Sequence, residues 1–265
     1  MGAEFSGKWT AALTDVATGD HFGIDEDDVM PTASLIKVPI LVALYTAVHR
    51  GDLKLDAETT YEAAHKCGGS GVLQHLVPGA RMTVRDAAVL MLIISDNAAT
   101  NMCIDLVGLD QVNETMHTMG LSNTHLYQRL GDRAAGLDAR KMSVSSAGDI
   151  CGLMTKIAQH EAVSVDASED MLRILRRSDG RAELSHLLPW NEMNMLDKPR
   201  ENWVAEKGGA FINGIRTGGS IFRSERGYFV MSVFGEGMLA SGSGREAEGN
   251  RLLWQMGKAA WDTLA

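Results

Sequence analysis

Along the chain, the spacing of apolar and polar positions changes character twice. From Lys8 to Ile24 it alternates, with Trp9, Ala11 and Leu13 on one side, a turn at Thr18-Gly19-Asp20, and a second short run, His21-Phe22-Gly23-Ile24. A period of two interrupted by a glycine turn predicts a β-hairpin. From Leu35 to about His49 the run LIKVPILVALYTAVH repeats at helical spacing and is apolar nearly all round, with Gly51 as a stop. It predicts a helix buried on every side.

Between about Leu55 and Ser185 the helical period persists. Thr83 and Asp86 resemble a capping box ahead of AAVLMLII. Helices are predicted over 97–107, 111–119 ending at Gly120, 145–160, and 168–178 with Gly180 as stop. After Trp190 strand-like runs return at 203–207, 219–222 and 228–234, with glycine at the breaks, and 245–264 reads as a closing amphipathic helix. Strands at both ends with helices between predict an α/β fold, its sheet built from both termini and an all-helical lobe inserted between them. The predicted division is residues 1–54 and 190–265 for the α/β lobe and 55–189 for the helical one, with a ligand cleft at their junction. No repeat at a period of about 20–50 residues is visible.

Composition narrows the chemistry. With 265 residues, 45% of them hydrophobic and 22% charged, the chain has enough apolar material for a core, which excludes wholesale disorder. A formal charge of −9 without a basic stripe argues against nucleic acid as a partner. The three cysteines, Cys67, Cys103 and Cys151, form no CxxC pair, and the histidines lack metal-ligand spacing, so neither a disulfide framework nor a metal site is expected. Gly68-Gly69-Ser70-Gly71 lacks the ending of a phosphate cradle and reads as a flexible loop. No run reaches about 18 consecutive apolar residues, so no membrane span is expected. The first residues show no basic segment followed by an apolar one; as written the chain is expected to be cytoplasmic, and a secreted form whose leader has been removed also fits.

Three short constellations carry candidate chemistry. In Ser34-Leu35-Ile36-Lys37 a spacing of three puts a hydroxyl and an amine on one helical face. Taken alone, Ser34 reads as an N-cap and Lys37 as a surface lysine. Yet Lys37 lies among Leu35, Ile36, Val38, Pro39 and Ile40 at the positive end of a helix, where burial and dipole both lower an amine's pKa and suit it as a base for Ser34. Ser95-Asp96-Asn97 reads either as a helix cap or as a proton shuttle, Ser95, with an Asn97 amide that holds substrate or Lys37. Lys207-Gly208-Gly209 reads either as an edge lysine beside a turn, or as a positive charge next to glycines that let a ligand lie against the strand.

Ser-x-x-Lys, Ser-Asp-Asn and Lys-x-Gly, in that order, resemble the signature set of the class A β-lactamase family, and the likeness spans nearly the whole chain. The resemblance implies the β-lactamase and penicillin-binding-protein fold and an acyl-enzyme route: Ser34 as nucleophile, Lys37 as base, Ser95 and Lys207 at the leaving group. It further implies Asn97 and Gly209 at the substrate, the backbone N–H groups of Ser34 and Ala210 as oxyanion hole, and Arg216 near the substrate carboxylate. No cofactor is implied, and the partner is a small-molecule substrate; oligomeric state is not legible. The sequence departs from the family twice. The stretch His125-Leu126-Tyr127-Gln128-Arg129-Leu130-Gly131-Asp132-Arg133 lacks the deacylating glutamate of the family's Glu-x-x-Leu-Asn loop, there being no glutamate from 115 to 160. Asp132 and Asp138 are the only carboxylates between Gly120 and Lys141, each more simply a loop ion-pair partner than a base. Gly208 replaces a Thr or Ser whose hydroxyl helps bind the β-lactam carboxylate in the family. These losses point to a β-lactamase-related serine hydrolase that turns β-lactams over slowly. The alternatives are a non-catalytic or acyl-trapping relative of penicillin-binding proteins, or a D-amino-acid peptidase or esterase.

Overall fold

The computed structural model describes residues 5–131, 138–178, 183–189, 202–212, 214–225, 227–239 and 247–265. The hairpin opens the chain as β1 (Lys8–Asp15) and β2 (His21–Ile24), followed by a short β3 (Met30–Pro31). A 3-10 turn, Ala33–Ile36, runs directly into α1 (Lys37–Arg50), which ends at Gly51 in the left-handed region with φ 85°. Next come β4 (Glu58–Thr60), β5 (Arg81–Thr83), α2 (Val84–Ile93), α3 (Asn97–Val107) and α4 (Leu109–Thr118). Then β6 (His125–Leu126), β7 (Ser143–Ser145), α5 (Ala147–Ala158) and α6 (Val165–Leu175) lead to three nine-residue strands, β8 (Trp203–Phe211), β9 (Ile215–Arg223) and β10 (Tyr228–Glu236). Helix α7 (Glu248–Leu264) closes the chain.

Helix starts follow local capping chemistry. Thr83 and Asp86 make the expected reciprocal pair, and Asp96, Ser146 and Ser164 accept from the N–H groups of Ala99, Asp149 and Ala167. The Ser164 cap explains why α6 begins before the predicted 168. Gly180 and Trp190 lie outside the described residues. Two small antiparallel sheets, β4-β5 and β3-β7-β6, lie among the helices where no strand was expected; their runs of two or three residues are too short to show a period.

The main sheet is antiparallel, in the order β2-β1-β10-β9-β8, so strands from both ends of the chain do share one sheet. Alternation along β10 sends Phe229, Met231 and Val233 into the core beneath α7, and Val230 and Phe234 into the larger core shared with α1 to α6. Burial of both faces is the reason these strands read as continuous apolar runs. Helix α1 lies inside that larger core. The stretch Ala33–Arg50 has the length and apolarity of a membrane span, and 72% of it is buried within the fold, which accounts for its composition.

Candidate active site

Ser34 lies in the 3-10 turn that leads into α1, not at a helix N-cap. The residue before it, Ala33, has φ 46°, and Ser95, at the end of α2, has φ 56°, so both hydroxyl-bearing segments hold a non-glycine residue in the left-handed region. Such conformations cost about 1–3 kcal/mol each and persist only where surrounding contacts enforce them. Here Thr217 Oγ1 on β9 donates to Thr32 O at 2.8 Å, and the Thr32 and Ser143 hydroxyls are 2.5 Å apart, which ties the Ser34 turn to two sheets.

Lys37 is fully buried and brings the first two motifs together. Its Nζ lies 3.2 Å from Ser34 Oγ, 2.9 Å from Ser95 Oγ, 2.7 Å from Ser95 O and 2.8 Å from Asn97 Oδ1. Burial, reinforced by the charge of Lys207, holds its amine well below the ordinary lysine pKa, and Asp96 and Cys67 only partly oppose this. Two of its four neighbours, the carbonyl oxygens of Ser95 and Asn97, can only accept; the other two are hydroxyls that can also donate. A neutral amine fits that set: two N–H bonds to the carbonyls, with the lone pair left for a hydroxyl proton.

Asn97 thus holds Lys37 through its oxygen, while its Nδ2 donates to Gly68 O at 2.8 Å. The glycine-rich loop expected to be flexible is tied to the Ser95–Asn97 turn. Ser70 Oγ donates to Ser95 O at 2.6 Å, Asn97 N donates to Ser70 O at 3.1 Å, and the Val72 and Leu73 N–H groups donate to Asp96 Oδ2 at 2.6 and 2.9 Å. Gly69 and Gly71 have φ near 100°, and a Cβ on either would strike Asn97 or Asp96.

Across the cleft stands β8. A cavity of about 880 Å³ is lined by Ser34, Ser95, Asn97, Lys207, Gly209 and Ala210 among others, so all three motifs face one space. Gly208 and Gly209 both line this cavity, and both also serve close packing. A Cβ at 209 would lie 2.5 Å from Thr217 Oγ1, 2.6 Å from Thr32 O and 2.8 Å from Ser34 N, so Gly209 is needed for the strand to press against the nucleophile's own turn. The space beside Gly208 is filled by the Glu183 carboxylate. Arg216 is not among the cavity-lining residues: its guanidinium donates to Asn250 Oδ1 on α7 at 2.8 Å and to the carbonyls of Ile215 and Phe211 at 2.7 and 3.3 Å.

Lys207 is buried, and burial lowers its pKa while Glu183 and Glu206 oppose the shift. Burial likewise pushes Glu183 up to about 7, with Lys207 and Arg216 opposing, and Glu206 up to about 8, with Ser185 opposing and Glu183 adding to the rise. Glu183, Thr217 and Asn101 were not singled out in the sequence; each acts through partners distant in the chain, and Gly208 was the only local sign. Asn101 clasps Leu130, accepting from its N–H at 2.9 Å and donating to its carbonyl at 3.0 Å, so an apolar side chain lines the cavity here. Asp138 caps the 3-10 turn Ala139–Lys141 through Arg140 N and does not line the cavity; Asp132 lies outside the described residues. Among the described residues no group of His, Cys, Asp and Glu could hold a metal ion.

A five-stranded antiparallel sheet packed with α-helices, seven of them among the described residues, is the fold of β-lactamases and penicillin-binding proteins, a serine hydrolase fold. The chain belongs to the β-lactamase enzyme family, whose model matches residues 1–264. It is similar to a β-lactamase from Sphaerobacter thermophilus, with 26% identity and a TM-score of 0.86 over 98% of this chain and 92% of that one. It is also similar to PBP-A, with 27% identity and a TM-score of 0.80 over 97% and 91%. An ancestral class A β-lactamase, 19% identical with a TM-score of 0.83 over 99% and 96%, shares the fold. A curated relative, the β-lactamase regulatory protein BlaB of Streptomyces cacaoi, is 29% identical over 130 residues, which is 46% of this chain and 41% of that protein. The chain therefore matches less than half the length of that relative.

Proposed function

We propose that the protein is a serine acyl-transfer hydrolase that forms an acyl-enzyme at Ser34 with a β-lactam or another small amide or ester, and releases it slowly. The observation that carries this reading is the buried Lys37 amine 3.2 Å from Ser34 Oγ, with its N–H bonds directed at two obligate acceptors. Lys37 takes the Ser34 proton as Oγ attacks the carbonyl, and the N–H groups of Ser34 and Ala210 receive the developing oxyanion. Ser95, 2.9 Å from Lys37, passes the proton on to the leaving nitrogen or oxygen, and Lys207 contributes positive charge to that side of the cleft. Deacylation is slow because Leu130 puts an apolar side chain at the cavity wall and Asp138 is spent on a helix cap.

The test is intact-mass measurement after exposure to a fluorescent penicillin and a fluorophosphonate. Wild type gains one adduct and Ser34→Ala gains none; equal labelling of the variant overturns the assignment. A second reading, an acyl-trapping receptor, is supported by the same Leu130 and by the likeness to a regulatory protein. It predicts an adduct that persists for hours with no turnover, whereas the hydrolase reading predicts a slow return to the unmodified mass.

A further inference from the structure

The end of the cleft beside Lys207 already contains a carboxyl group, Glu183, which carries its full charge only above about pH 7. The Glu183 carboxylate lies so closely over Gly208 that its carbon and both oxygens occupy the position where any Cβ would stand. It lines the cavity beside Lys207, and its charge acts on both Lys207 and Arg216, the two cations of this corner. The segment that presents it is firmly seated. Leu184 is buried beneath α7, against Gly218 and Leu253, and its backbone fills the space a Cβ on Gly257 would need. Ser185 hydrogen-bonds the Glu206 carboxylate, and His186 stacks on Trp254 with ring centroids 3.8 Å apart. Glu206, the other carboxyl group near Lys207, also accepts from Ser220 Oγ at 3.0 Å.

We propose that Glu183 is a specificity-determining residue: it fills the anion position beside Lys207, so that the cleft takes acyl donors with no negative charge at that end in preference to donors that carry a carboxylate there. The inference rests on acylation at Ser34 as proposed above and adds the charge class of the donor. An anionic donor must either displace the Glu183 carboxylate or lie against it, and like charges so juxtaposed disfavour that donor. A neutral ester or amide meets no such opposition.

Benzylpenicillin and its methyl ester test this directly, since they differ in that charge and a single methyl group. Second-order rates of Ser34 acylation are measured by intact mass at about pH 8, where Glu183 is charged, for wild type, Glu183→Gln and Glu183→Ala, after circular dichroism and thermal melting have shown both variants folded. Wild type should favour the ester, and both variants should shift the acid-to-ester rate ratio by about tenfold or more towards the acid. A ratio unchanged within about twofold in both variants overturns the proposal. Equilibrium binding of the two compounds to Ser34→Ala and to Ser34→Ala/Glu183→Gln separates the two levels of inference. If the second change selectively strengthens binding of the acid although wild type is never acylated, the role of Glu183 stands and the acyl-enzyme reading falls; no selective change sinks the role of Glu183 itself.

Discussion

Replacing Gly209 with Ala tests whether the strand opposite the nucleophile holds it in place by contact. The added Cβ would lie 2.5 to 2.8 Å from Thr217 Oγ1, Thr32 O and Ser34 N, where ordinary contact begins at 3.4 Å. Strand and turn must therefore separate by roughly 0.6–0.9 Å, and a misplacement near 1 Å at reacting groups costs about 10²-fold in rate. Overpacking of this kind costs about 1–3 kcal/mol, which for a chain of this size lowers Tm by roughly 2–12 °C. Labelling of Ser34 by a fluorescent penicillin, followed over time, and thermal unfolding read the two effects separately. Gly152→Ala supplies the contrast: it lies in α5 with nothing within 4 Å of the new Cβ. It should stabilise the protein by about 0.5–1 kcal/mol and leave labelling unchanged. Labelling of Gly209→Ala within about threefold of wild type, with no fall in Tm, would refute the claim that this glycine sets the position of Ser34.

Leu130→Glu places a carboxylate at the cavity wall on a backbone clasped on both sides by Asn101, and a general base there should accelerate release of the acyl group by about 10²–10⁴-fold. A chromogenic cephalosporin should then show steady turnover instead of a single burst; an unchanged burst contradicts the slow-deacylation argument. Glu206 is a buried carboxyl whose pKa is raised from 4.5 to about 8, so the folded state binds its proton more tightly than the unfolded chain. Its contribution is full below about pH 4.5 and is lost as pH rises towards about 8, so Tm should fall across that window, and less steeply in Glu206→Gln. Parallel melting curves for the two proteins between about pH 5 and pH 8 would count against a buried, protonated Glu206.

Much that depends on residues close in the chain was legible in the sequence, although the Ser164 cap that starts α6 was not. The hairpin, the all-round apolar α1, the Thr83–Asp86 box and the pairing of Ser34 with Lys37 follow from periods of two and 3.6 and from a spacing of three, which local backbone geometry enforces. The order of the three motifs also pointed to the family. Tertiary structure alone decided how Lys207-Gly208-Gly209 is used. Gly209 serves the approach of β8 to Ser34, and Gly208 admits the carboxylate of Glu183, because elements far apart in sequence press together there. Arg216 turned towards Asn250 on α7 for the same reason, and Leu130 reached the cavity wall on the grip of Asn101. A one-dimensional pattern records which face of an element is apolar; which atom meets it from across the core is set only when the elements pack.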